Sequence, residues 1–214
     1  TFNPTCSNDE YVIWSVIIGT LKITFIATIV SVPIGLGAAI YLNEYASDRT
    51  RRIIKPILEI LAGIPTIVFG FFALTFVTPI LRSIIPGLGE FNSISPGIVV
   101  GIMIVPIITS LSEDAMSSVP NKIREGAFGL GATKFEVATK VVLPAATSGV
   151  VASIVLGVSR AIGETMIVSL AAGSTPTSSL SLTSSIQTMT GYIVEVATGD
   201  APFGSDILYS IYAV

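Results

Sequence analysis

Between residues 143 and 173 the only ionisable side chains are Arg160 and Glu164, set among apolar and small residues. Their four-residue spacing puts them at neighbouring positions on one face if the stretch is helical. Ser153 and Gly157 lie on the same face, which gives a narrow polar stripe. An arginine at the centre of a bilayer costs about 2.5–3.5 kcal/mol on insertion scales, so it is rarely placed there without use. The expected chemistry is attraction of an anion by Arg160, with Glu164 neutralising it when no anion is present. An internal ion pair that only pins packing is the plainer alternative, and such pairs often add little stability.

A second group of residues is polar and local. Pro120 suits the first turn of a helix, and Gly131 suits the left-handed residue just beyond its end. Thr133 followed by Glu136 is a capping box that opens another short helix, limited by Pro144. Helix, turn, helix is therefore expected over residues 120–144.

Several chemistries are excluded by composition. The 214 residues contain no histidine, which removes His-based triads and most zinc sites, and the single Cys6 has no histidine to activate it. With 11 Lys+Arg against 14 Asp+Glu, no basic field favours nucleic acid. No GxxxxGK[ST] occurs, so no P-loop for nucleotide phosphates is expected, and neither is a catalytic residue, metal or cofactor in this chain.

The elements that must position these residues are membrane spans. Hydrophobic residues make up 51% and charged residues 12%, against roughly 25% charged in ordinary soluble domains. A crossing helix needs about 20 mostly apolar residues. Spans are expected over 12–42, 60–81, 95–118 and 145–173, with a further one starting at 207–214. Arg49, Arg51, Arg52 and Lys55 fall in the first connection, and Lys122, Arg124, Lys134 and Lys140 in the third. The alternate connections hold only Arg82, so the two basic segments should face the cytoplasm. Residues 174–206 then form an external loop. Residues 49–63 alternate charge and isoleucine or leucine at helical spacing, which predicts an amphipathic helix on the membrane surface. Thr20, Thr24, Thr28, Ser31 and Gly35 make a stripe of small residues suited to close helix packing. The sequence starts at Thr1 and stops inside an apolar run, as expected of a piece of a longer polypeptide.

The segment EGAFGLGATKFEVATKVVLPAA resembles the EAA loop of bacterial ABC-importer permeases. Glu125, Ala127, Gly131, Val141, Leu143 and Pro144 stand at the pattern's positions, and Gly126 replaces its first alanine. LEILAGIPTIVFGFF, ITSLSEDAMSSVPNKIREGAFGLGATKFE and SRAIGETMIVSLAAG extend the similarity to permease subunits of phosphate importers, from about Trp14 onward. The resemblance implies an all-α, MetI-like bundle, here a fragment of a six-span permease in a prokaryotic cytoplasmic membrane. It implies coupling through Glu125, Ala127, Gly131, Leu143 and Pro144 to a separate ATPase that binds ATP and Mg. It also implies a second permease subunit, an external phosphate-binding protein, and a transport role for Arg160 and Glu164.

Other readings compete. Molybdate or sulfate permeases would share the EAA loop. An ion-gradient transporter would also use intramembrane charges, though without this docking pattern. A membrane-embedded hydrolase would need Lys22 paired with a serine, whereas a lysine snorkelling to the outer surface is simpler. Glu113 and Asp114 match the family pattern, and solvated charges at a helix end are the expectation for both.

Overall fold

The computed structural model describes residues 9–173, 175, 181–199 and 214. The span start expected at 207–214 lies almost wholly outside them, as does Cys6. Among the described residues the secondary structure is entirely helical. Among the described residues three helices are long and apolar enough to cross a membrane, Ile13–Tyr45, Thr66–Ile84 and Ile94–Ser117, and the bent pair Lys134–Ala145 with Thr147–Ile162 makes a fourth if counted as one span. The elements are α1 (Asp9–Ile40), α2 (Asp48–Ala62), α3 (Thr66–Phe72), α4 (Thr78–Ile84), α5 (Ile94–Ser117), α6 (Asn121–Gly129), α7 (Lys134–Glu136), α8 (Leu143–Ala145), α9 (Thr147–Ile162), α10 (Met166–Ala171) and α11 (Met189–Thr198). Wider π turns at Tyr41–Tyr45, Ala73–Val77 and Val137–Val142 extend α1, join α3 to α4 and link α7 to α8.

Two departures from the expected bounds have local causes. The chain bends by 76° between Lys134–Ala145 and Thr147–Ile162, so Pro144 sits in the first turn of α8 and the break falls one residue past that helix. The span expected over 145–173 is also interrupted after Ile162, and α10 starts only at Met166. At 16 residues α9 is about 24 Å long, less than the roughly 30 Å of a hydrocarbon core.

The chain forms two compact units. One comprises residues 28–64 and 101–160, the other the described residues within 1–27, 65–100 and 161–214. In the first, Ala39, Met116, Val119, Val137, Val142, Ala146 and Val150 make a buried cluster, with Ala127, Ala132, Val141 and Leu143 packed against it. Ile108 is fully buried between two glycines there. A Cβ added to Gly35 or to Gly157 would lie 2.9 Å from an Ile108 side-chain carbon, closer than packed atoms tolerate. Ser112 and Ser153 share a 2.6 Å hydrogen bond, and Thr109 donates to the Gly35 carbonyl at 3.2 Å. The lower part of the stripe leading to Arg160, Ser153 and Gly157, is therefore used for packing between α5 and α9.

In the other unit, Gly70 lets α3 approach α10 closely: a Cβ there would be 3.1 Å from the Met166 carbonyl oxygen. Thr20 and Thr24 are buried and bond back to Val16 and Thr20 carbonyls, while Thr20 Oγ1 also accepts from the Met189 N–H at 3.0 Å. Lys22 reaches the Ser181 carbonyl at 3.3 Å, within the segment expected to face outward. That segment contains α11 in addition to loop.

Candidate functional site

The 120–144 segment forms a knob whose turns are closed by local hydrogen bonds of backbone and capping side chains. Pro120 stands at the N-cap of α6. At the other end Gly131 adopts φ +85°, the Gly131 N–H donates to the Phe128 carbonyl at 2.9 Å, and the Ala132 N–H donates to the Ala127 carbonyl at 3.2 Å. These two bonds make a Schellman end, and a left-handed residue at that point favours glycine. Thr133 then caps α7: its Oγ1 accepts from the Glu136 N–H, and Glu136 accepts from the Thr133 N–H at 3.1 Å. The Thr133 amide, followed by Lys140 at 3.1 Å and the Thr133 hydroxyl, lowers the Glu136 carboxyl to a pKa of about 2.

The knob has one packed side and one open side. Ala127, Val141 and Leu143 are half-buried against the apolar cluster, whereas Glu125, Gly131 and Pro144 are exposed. Around Glu125 and Gly131 the exposed residues include Ile123, Phe128, Phe135 and Leu130, the last with 91% of its surface open. Large apolar side chains held out from an ordered turn make this side the candidate interaction surface.

Two ionic clasps that the sequence reading did not single out hold the base of this unit. Arg124 of α6 pairs with Glu44 at 2.5 Å and donates to the Met116 carbonyl at 2.7 Å, near the end of α5. Arg51 of α2 donates to the Leu42 carbonyl at 2.8 Å and to the Asn43 carbonyl at 3.2 Å. An arginine fork suits the unpaired carbonyls and negative dipole end of a helix. Arg51 also approaches Glu113 at 3.5 Å, and Lys55 pairs with both Glu113 and Asp114. The hydrogen bond that Lys55 donates to Glu113, outweighing burial, raises the Lys55 pKa. Glu113 is 1% exposed, so it is no solvated helix-end charge; Asp114, 59% exposed, does fit that expectation. Charges just past apolar runs were the available signal, but their pairing needs the fold.

Arg160 and Glu164 do not share a helical face, because α9 ends between them. Arg160 is exposed. Glu164 is 5% exposed, and its carboxylate accepts from the Met166 and Ile167 N–H groups at 3.2 and 3.3 Å, at the start of α10. A carboxylate on the free amides at a helix N-terminus is favoured by hydrogen bonding and by the helix dipole. Among the described residues no ion pair joins Arg160 to Glu164.

Comparison with known proteins places this architecture. Residues 31–214 match the family described as binding-protein-dependent transport system inner membrane component. The probable ABC transporter permease protein YqgH of Bacillus subtilis is 37% identical over 175 residues, covering 81% of this chain and 56% of its own length. The phosphate transport system permease proteins PstC of Pasteurella multocida and Haemophilus influenzae are each 39% identical over 176 residues, covering 73% of this chain and 55% and 56% of theirs. The chain thus spans little more than half the length of these relatives. A structure titled as inward-facing conformations of the MetNI methionine ABC transporter matches with a TM-score of 0.73 at 16% identity, over 98% of this chain and 90% of that one, which shows the MetI-like fold. With a family match over residues 31–214 and a shared helical fold, this chain belongs to the binding-protein-dependent transport system inner membrane component family.

Proposed function

We propose that this chain is the membrane-spanning permease portion of an ATP-driven phosphate importer in a prokaryotic cytoplasmic membrane. The observation that carries the reading is the open side of the 120–144 knob: an ordered turn presenting Leu130, Phe128, Phe135 and Ile123, fastened to the ends of α1 and α5 through Arg124. A partner ATPase subunit, holding ATP and Mg, docks there, and Glu125 supplies an exposed carboxylate on the same segment. Phosphate as the solute is supported by relatives named as phosphate transport permeases. The full assembly then includes a second permease subunit and an external phosphate-binding protein.

Within the pathway, Arg160 attracts the anion, being an exposed cation at the end of an apolar helix. Glu164 is a positioning residue that holds the start of α10. The test is uptake of phosphate, molybdate and sulfate by the complete transporter, driven by ATP. Arg160→Gln should abolish phosphate uptake while leaving assembly with the ATPase intact, and normal uptake would remove Arg160 from the pathway. Leu130→Asp should separate the ATPase from the permease. Preference for molybdate or sulfate would reassign the solute and leave the coupling role standing.

A further inference from the structure

The four basic residues at the start of α2 divide between two faces. Arg51 and Lys55 turn inward onto Glu113. Arg49 and Arg52 are exposed and, among the described residues, have no hydrogen-bond or ion-pair partner. At helical offsets of three and four, Arg49, Arg52, Ile53, Pro56, Ile57 and Ile60 share one side, and all six are exposed. The acids Asp48 and Glu59 lie on its polar edge, beyond Arg52.

We propose that this face is a binding surface for anionic phospholipid, with Arg49 and Arg52 on the headgroup phosphates and Ile53, Ile57 and Ile60 at the adjoining acyl boundary. The inference rests on the chain being membrane-embedded and not on the identity of the transported solute. Three features favour a lipid surface over a protein partner. At 15 residues α2 is about 22 Å long, too short to cross, and spans lie on either side of it in the chain, so it stays at the interface. Pro56 lacks the N–H that would pair the Arg52 carbonyl, and on this exposed face headgroup water can fill that gap. Tyr41 and Tyr45, exposed at the end of the preceding span, mark the same depth, since tyrosines gather at membrane interfaces. Arginines beside isoleucines complement an anionic leaflet, each contributing roughly a fivefold preference.

The test uses the complete assembled transporter, with Cys6→Ser and a fluorophore on Ile57→Cys, in vesicles containing nitroxide-labelled phosphatidylglycerol or phosphatidylcholine. Phosphatidylglycerol should quench preferentially, and Arg49→Gln with Arg52→Gln should lower that preference by about 30-fold. The paired lysine substitutions should retain most of it, which separates charge from misfolding, and ATP hydrolysis reports intact assembly. Equal quenching by both lipids would overturn the headgroup assignment. No quenching by either would show a protein on this face, and quenching relieved by inorganic phosphate would show a solute site; each defeats the proposal. Loss of phosphate uptake alone would bear on the transported solute and not on this surface.

Discussion

Arg124 offers the most direct check on how the exposed knob is fastened. Its side chain is 14% exposed and that of its partner Glu44 is 6% exposed. Removing one member of a buried pair costs about 3–5 kcal/mol, because the other charge is left without compensation. Here Asn43 still donates to Glu44 at 2.7 Å and some water access remains, so the low end, about 3 kcal/mol, is expected for Arg124→Met. At roughly 2–4 °C per kcal/mol for a domain of this size, the melting temperature of the purified transporter should fall by about 6–12 °C. Arg124→Met combined with Glu44→Leu leaves no orphaned charge and should cost less than Arg124→Met alone. The knob would also lose its tie to the Met116 carbonyl, so ATP hydrolysed per solute imported should rise in the single variant. Melting shifts that simply add in the double variant, or a single variant with unchanged melting and unchanged coupling, would refute the clasp.

Gly131→Ala places a Cβ on a residue at φ +85° and should destabilise by about 1–2 kcal/mol, readable as a lower melting temperature, with Gly131→Asn milder. Gly35→Ala and Gly157→Ala each push a methyl against Ile108 and should cost about 1–3 kcal/mol; Ile108→Val, which removes only Cδ1, should recover part of the Gly157→Ala loss and little of the Gly35→Ala loss, where Cγ2 and Cβ are the crowded atoms. Glu136, depressed to about 2 from 4.5, stabilises the start of α7 above pH 4.5, and that contribution should disappear as pH falls from 4.5 through 2. Comparing melting of the parent and Glu136→Gln across that range should show a difference that closes only at the acid end.

Local chemistry made much of this protein legible before any fold was known. Long apolar runs pointed to membrane helices, since only helices and closed barrels satisfy a backbone in hydrocarbon and barrel strands are about half this length. The Thr133 and Glu136 capping box and the left-handed Gly131 depend only on residues a few positions apart, and both are present. The stripe of Thr20, Thr24 and Ser31 is buried for the same reason: small side chains at helical spacing mark a packed face.

Where sequence reasoning stopped short, the missing quantity was a distance between residues far apart in the chain or a break that periodicity conceals. The four-residue spacing of Arg160 and Glu164 implied a shared face only while the helix continued, and it ends at Ile162 with Glu164 capping the next one. Glu113 read as a solvated end charge because its partners lie 58 and 62 positions earlier, on α2. Spacing along the chain thus specifies which faces are apolar, capped or basic, because those preferences arise within a turn or two of backbone. Which charges meet, and which arginines are left facing outward, is decided by tertiary packing, because a Coulomb partner acts across a few ångströms of space whatever its position in the chain.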